Sequence, residues 1–255
     1  MSDNPSATAP TPKSGRSRVG RSCYAAALSL GALAAAPAVQ AAPQLTVFGD
    51  SYSIPVHDSF QDWPVQLRNQ GVVGQVRDFA HSGATASSRW HINFAQQIDA
   101  WRRAGRPLGL TVVYLGYNDI GGDTASSRAG YLAGIQALVD AGAASGGNRL
   151  YLVQPHDVGS TPLYDHTSQR SALRRDTVAW DAFVASTARR FHATVVDVFA
   201  AVDAALRAPG RYGFTSVTTA DHAHAANTAL YADSFHFGLH GQSIIARTIA
   251  ARLGR

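Results

Sequence analysis

Apolar residues fall along this chain in short runs, separated by longer stretches with helical spacing. Runs of strand length occupy residues 45–48, 72–79 (interrupted by Gly74 and the charged Arg77), 110–115, 150–153 and 194–199. Between them, Phe60, Trp63, Val65 and Leu67 mark one helical face, and Ile92, Phe94, Ile98 and Trp101 a second. Tyr131, Ile135, Leu138 and Val139 mark a third, and Leu173, Val178, Trp180, Phe183 and Val184 a fourth. Ile244, Ile245, Ile249 and Leu253 give the tail the same repeat. Spacing of three and four residues puts side chains on one side of a helix, whereas short continuous apolar runs suit strands buried on both faces. Strands alternating with helices predict βαβ crossovers and a parallel sheet covered on both sides. In such sheets ligands bind beyond the carboxyl ends of the strands, so chemistry is expected just after each run.

The first forty or so residues do not share this pattern. Lys13, Arg16, Arg18 and Arg21 make a basic stretch, residues 24–36 are apolar and rich in Ala and Leu, and Pro37-Ala38-Val39-Gln40-Ala41 ends in small residues. Basic, then apolar, then small is the order of a secretory signal, and cleavage after Ala41 is expected. The apolar run is short for a bilayer span. A single domain over 42–255 is then expected, exported to the periplasm or beyond. Export also changes the charge. The whole chain carries 22 basic and 17 acidic residues, net +5, and the portion after Ala41 keeps 18 against 16, net +2. No basic stripe suited to nucleic acid stands out. Cys23, the one cysteine among 255 residues, leaves with the signal, so neither a disulfide nor thiol chemistry is expected.

Four short segments stand where chemistry is expected. Gly49-Asp50-Ser51 follows the first run, His81-Ser82-Gly83-Ala84-Thr85 the second, Gly116-Tyr117-Asn118-Asp119 the third, and Asp233-Ser234-Phe235-His236 precedes the final helix. Each has a plain alternative. A glycine turn with a capping serine, a strand-to-helix turn, an Asx turn and a capping aspartate beside a surface histidine would account for them one at a time. Taken in order, they resemble the GDSL esterases and lipases of the SGNH hydrolase superfamily over about residues 44–253. The stretch 151–163, with Gln154-Pro155 and Thr161-Pro162, is similar to the segment after that family's fourth strand. Arg211-Tyr212-Gly213-Phe214 is similar to a stretch in the subgroup of bacterial lipolytic enzymes, haemolysin-type phospholipases and fungal acetylesterases. The chain departs from the pattern at Tyr52, where leucine is commoner, at Ser82, which replaces a frequent glycine, and at Asp78, near a frequent asparagine. It also has His236-Phe237-Gly238 in place of His-Pro-Thr.

The resemblance implies an α/β fold, a three-layer α/β/α sandwich of flavodoxin-like type with a central parallel sheet of about five strands. It implies a serine esterase or lipase with Ser51 as nucleophile, His236 as base and Asp233 as the acid that orients it. The oxyanion hole would comprise the N–H groups of Ser51 and Gly83 and the amide of Asn118. The chemistry needs these residue types: a hydroxyl attacks only when a base takes its proton, and neutral fixed donors hold the oxyanion without repelling it. No cofactor is implied. The substrate is a carboxylic ester, either a lipid acyl ester, with transient contact to a lipid surface, or an acetylated carbohydrate. Aromatics available to line the site are Tyr52, Trp63, Trp90, Tyr117, Tyr164 and Phe235, with Tyr52, Tyr117 and Phe235 singled out as substrate contacts. The polar segments 155–169 and 211–230 are expected to lie over the strand ends.

Two other readings compete. His236 and His240 stand four apart, with Asp233, His222 and His224 near in sequence, which is metal-ligand spacing, but His-Glu-x-x-His is absent and no metal is expected. The second is a non-catalytic module that only holds a lipid or glycan on the same fold.

Overall fold

The structure, a computed structural model, describes residues 42–55, 61–87, 92–122, 124–215 and 229–254. The expected signal over 1–41 lies outside them. Five strands, β1 (Gln44–Gly49), β2 (Gln75–Asp78), β3 (Leu110–Tyr114), β4 (Arg149–Gln154) and β5 (Thr194–Asp197), form one sheet in the order β2-β1-β3-β4-β5, with every pair parallel. The helices are α1 (Trp63–Asn69), α2 (Phe94–Ala104), α3 (Thr124–Asp140), α4 (Arg170–Arg190), α5 (Val198–Arg207) and α6 (Leu239–Leu253).

Alternation along the strands sorts the core into two layers. Leu45, Val47, Val112, Tyr114, Tyr151 and Val153 pack with Trp63, Val202, Ile245 and Ile249 of α1, α5 and α6. Phe48, Val113, Leu150 and Leu152 pack with Phe94, Ile98, Tyr131, Ile135, Trp180 and Val184 of α2, α3 and α4. The result is the expected three-layer sandwich, with β1, β3 and β4 buried on both faces.

Three boundaries differ from the apolar pattern, each for a local reason. The run 72–79 holds only the short edge strand β2, because Gly71 turns the chain (φ +72°) and Gly74 donates its N–H to Pro43 O. The run 194–199 is cut at Asp197, whose carboxylate accepts from Ala200 N (2.7 Å) and so caps α5, a helix the apolar spacing did not mark. Val178, which the spacing places on the apolar face of α4, is 51% exposed. The spacing puts Ile92 and Phe94 on one helical face, yet α2 starts only at Phe94. There Asn93 and Gln96 form a capping box in which each side chain accepts from the other's backbone N–H. Phe60 lies outside the described residues.

Candidate active site

The carboxyl ends of β1 and β3, the loop after β2 and the loop before α6 converge on one place. At the end of β1, Gly49 has no room for a side chain, since a Cβ there would stand 2.6 Å from Tyr114 O and 2.7 Å from Ser53 Oγ. Its backbone is held by the buried Gln97 of α2, which accepts from Gly49 N (3.0 Å) and donates to Gly49 O (2.7 Å). Asp50 then caps a single 3-10 turn, Ser51–Ser53, by accepting from Tyr52 N at 3.1 Å. Burial pushes the Asp50 carboxyl up to about 7, against the Tyr52 N–H bond that lowers it and with a further push from nearby Asp119. Ser51, at the head of this turn, is 5% exposed.

The loop before α6 closes as a small hairpin. Tyr231 and Phe237 make an isolated antiparallel bridge, Ala232 N donates to His236 O (2.8 Å), and Gly238 N donates to Leu230 O (2.9 Å). Within it, Asp233 Oδ1 accepts from Phe235 N (2.8 Å) and His236 N (2.5 Å), and Asp233 Oδ2 lies 2.6 Å from His236 Nδ1. A carboxylate only accepts, so the neutral ring carries its proton on Nδ1 and presents a lone pair at Nε2. That atom lies 2.9 Å from Ser51 Oγ, whose O–H donates to it. Burial alone would raise the Asp233 pKa. The bond from the His236 ring and those from the His236 and Phe235 N–H groups outweigh burial and hold the carboxyl well below its usual range. Ser51, His236 and Asp233 are therefore brought together in hydrogen-bonded order.

The Gly83 loop follows β2 and is tied to the end of β1, where His81 N donates to Gly49 O at 3.1 Å. Gly83 adopts φ +71°, a left-handed conformation that glycine takes without strain. Two neighbours from the turn Tyr117–Asp119 tie this loop to the end of β3. Asn118 Nδ2 donates to Ala84 O at 3.0 Å, and the buried Asp119 accepts from Ala86 N at 2.8 Å. An amide has two N–H bonds, so Asn118 keeps one after tying down Ala84. Among the described residues, no protein acceptor takes the N–H of Ser51 or of Gly83. These donors suit an incoming oxyanion.

Of the proposed substrate contacts, Tyr117 and Phe235 line a cavity of ≈ 250 Å³ next to Asn118, and the Phe235 ring lies 4.2 Å from that of His236. Tyr164 lines the same cavity. The structure places Tyr52 elsewhere. It is 1% exposed, beneath the site, and its hydroxyl donates to Phe235 O. Its ring centroid lies 4.7 Å from that of Tyr117 and 5.7 Å from that of His236. Tyr52 thus tethers the His236 hairpin to the Ser51 turn. Tyr52→Phe keeps the ring and leaves the Phe235 carbonyl without its partner, at a cost of about 1–3 kcal/mol if no water replaces it. The expected result is a roughly tenfold fall in kcat with KM within twofold, since a 1 Å misplacement costs rate before it costs binding. Steady-state kinetics with a thermal melt check it.

Trp63 is core, and Trp90 lies outside the described residues. His240 sits in the first turn of α6, 6.3 Å ring to ring from Phe214, while His222 and His224 lie outside the described residues. Among the described residues no group of three His, Cys, Asp or Glu is placed to hold a metal.

Two residues that shape the site, Gln97 and His156, carried no signal in the sequence. His156, after β4, is fully buried, with ring centroids 4.7 Å from Tyr52 and 4.4 Å from Phe237. Burial pushes its pKa down to about 3, and the neighbouring His236 adds to the shift, so the ring is neutral at ordinary pH. Phe237 fills the place of the absent proline with a buried ring stacked 4.9 Å from Tyr231. Packing replaces ring closure in stiffening the His236 turn.

Comparison with known proteins gives a family and a fold. A model described as the GDSL-like lipase/acylhydrolase family matches residues 47–244. No curated protein sequence matches the chain. Among solved structures, a member of the lipolytic protein G-D-S-L family from Veillonella parvula aligns with a TM-score of 0.57 at 13% identity, covering 83% of this chain and 98% of that one. An acetylxylan esterase from Geobacillus stearothermophilus aligns at 0.56 and 18% identity, covering 84% and 95%. An α/β hydrolase enzyme from the metagenome of Lake Arreo, Spain, aligns at 0.57 and 19% identity, covering 84% and 96%. At these identities the likeness is one of fold.

Proposed function

The chain belongs to the GDSL-like lipase/acylhydrolase family, and from that membership we propose that it hydrolyses carboxylic esters through an acyl-enzyme on Ser51. The observation that carries the reading is the unbroken line from Ser51 Oγ to His236 Nε2 (2.9 Å) and from His236 Nδ1 to Asp233 Oδ2 (2.6 Å).

In this mechanism Ser51 Oγ attacks the ester carbonyl carbon while its proton passes to His236 Nε2. The former carbonyl oxygen takes the negative charge and is met by Ser51 N–H, Gly83 N–H and the remaining N–H of Asn118. Collapse of the tetrahedral species breaks the bond to the alcohol oxygen, which receives the proton from His236. Water then attacks the acyl-enzyme and gives a proton to His236. The acid departs as Ser51 Oγ takes that proton back. Asp233 stays ionised throughout, and its low pKa fits a group that stabilises the transient imidazolium without taking its proton. The proposal includes export, supported by the basic, apolar and small-residue order of residues 1–41.

A fluorophosphonate tests the reading directly. It phosphonylates a serine only where a base activates the hydroxyl and the oxyanion site is formed. One equivalent is expected on Ser51 by peptide mass spectrometry, with ester turnover lost in step. Full occupancy of another serine, or turnover that survives labelling of Ser51, would remove Ser51 from its role.

A further inference from the structure

One buried histidine is in ring contact with three of the segments that build the site. His156 follows β4, and the chain on either side of it is fixed to α4 without help from the ring. Gln154 Nε2 donates to Asp181 O (3.0 Å), and Asp157 Oδ2 accepts from Arg174 Nη1 (2.5 Å), both partners lying in α4. The imidazole packs against rings from elsewhere. Its centroid lies 4.7 Å from that of Tyr52, 4.4 Å from that of Phe237 and 5.2 Å from that of Tyr117, on which it stacks at 24°. Each of these rings stands next in sequence to a residue of the proposed mechanism. Tyr52 follows Ser51, Tyr117 precedes Asn118, and Phe237 follows His236. Neighbouring Cα atoms are about 3.8 Å apart across a planar peptide, so a shift of any of the three rings is carried to the nucleophile, the oxyanion donor or the base. Asn118 in turn donates to Ala84 O (3.0 Å), which extends the effect to the Gly83 loop.

We infer that His156 is a positioning residue, the ring against which the nucleophile turn, the Asn118 turn and the base hairpin are set relative to one another. The inference rests on the esterase reading. Packing, not hydrogen bonding, carries the role. His156 is fully buried, its Nδ1 lies 3.5 Å from Tyr114 Oη, too long for a good hydrogen bond, and its Nε2 has no protein partner among the described residues. Charge does not carry it either. Burial holds the ring's pKa down at about 3, so it is neutral where an esterase works. The hydroxyls around it, on Tyr52, Tyr114, Tyr117 and Tyr231, are pushed up by burial and are uncharged as well. His236 is the remaining titratable neighbour, and it adds to the downward push on His156. A proton on His156 would therefore repel the proton that His236 takes from Ser51. A flat neutral ring gives the three segments a common contact without that repulsion.

The test compares His156→Ala, His156→Met and His156→Phe with the parent, all as the full chain. A fluorophosphonate titrates the working sites, so kcat for p-nitrophenyl butyrate is expressed per labelled Ser51 and any unfolded fraction drops out. A misplacement of about 1 Å costs up to about 100-fold in rate. Alanine and methionine, which lack a planar ring, are expected to lower kcat per site by about 10- to 100-fold with KM within about threefold. Methionine fills more of the space and gives the reading if the alanine variant does not fold. Phenylalanine restores a planar ring without nitrogens. It should bring kcat per site back to within about fivefold of the parent and leave the midpoint of the acid limb of the pH–rate profile where the parent has it. An unchanged kcat per site in the folded alanine or methionine variant overturns the assignment, since His156 would then only fill space. A phenylalanine variant as slow as the methionine one would put the role on the ring nitrogens and overturn it too, as would an acid limb moved by more than about half a pH unit. A parent that neither labels at Ser51 nor turns over ester sinks the esterase reading itself, a result distinct from a working parent whose variants break the expected order.

Discussion

Ser51→Ala is expected to lower kcat for ester hydrolysis by roughly 10⁴- to 10⁶-fold, the range seen when the nucleophile of a serine triad is removed. KM should stay within a few-fold, because the cavity lined by Tyr117, Asn118 and Phe235 does not depend on the hydroxyl. The fold should stand as well. Ser51 contributes one side-chain hydrogen bond, to His236 Nε2, while the turn it begins is capped by Asp50 and clamped through Gly49 by Gln97. His236 remains held by Asp233 from the other side. Alanine therefore removes the attacking atom and little else. Single-turnover kinetics with a p-nitrophenyl ester, alongside a melt of the variant, give the measurement. Turnover within tenfold of the parent would mean that another group attacks.

What the sequence made legible follows from how local each determinant is. β1, β3 and β4 are buried on both faces, so their runs are continuous and stand out. Ser51, Gly83, Asn118 and the Asp233–His236 pair could be read because each sits just past a strand or just before the last helix. Asp233 and His236 are also close enough in sequence to satisfy one another. Residues that act at a distance left no such trace. Gln97 reaches Gly49 across 48 positions and reads in the sequence as one more polar residue of an amphipathic helix. His156 is a single histidine after Gln154-Pro155, and only burial among Tyr52, Tyr117 and Phe237 makes it part of the floor. β5 and α5 merged into one apolar run because the capping aspartate between them looks like an interruption rather than a boundary.

Tyr52 shows the same limit from the other direction. Beside the serine it reads as a substrate contact, since neighbours in sequence are easily taken as neighbours in the site. One step past Ser51 in the 3-10 turn, the side chain instead points into the sheet's core layer, where Tyr52 packs with Tyr114, Tyr231 and Phe237. Its hydroxyl comes within reach of Phe235 O only because the hairpin, 183 residues on, folds over it. The tyrosine at a position where leucine is commoner and the phenylalanine at a position where proline is commoner therefore belong together. Their ring centroids lie 5.4 Å apart, and Tyr52 ties down the hairpin to which Phe237 belongs.

Asp233→Asn carries the second large effect, a loss of about 10³- to 10⁴-fold in kcat. An asparagine can still offer Oδ1 to the N–H groups of Phe235 and His236, which holds the hairpin in place. Its amide N–H then faces His236 Nδ1. That atom must accept rather than donate, so the ring proton moves to Nε2, and Nε2 can no longer take the proton of Ser51. Replacing the acid of a serine triad by its amide costs about 10⁴-fold for this reason. The same substitution has a signature in stability. The folded-state pKa of Asp233 lies below its ordinary value of 3.8, so its ionised form adds stability at all pH values above 3.8. That contribution is lost as pH falls from 3.8 through the folded-state value. Asparagine lacks it at every pH. The variant should melt a few degrees below the parent at pH 7, as about 1 kcal/mol implies for a domain of this size, and the gap should narrow as both are taken below pH 3. A gap that stays constant across that range would mean that the carboxylate's charge does not hold the hairpin, and a kcat within tenfold of the parent would mean that His236 does not need Asp233 to keep its proton on Nδ1.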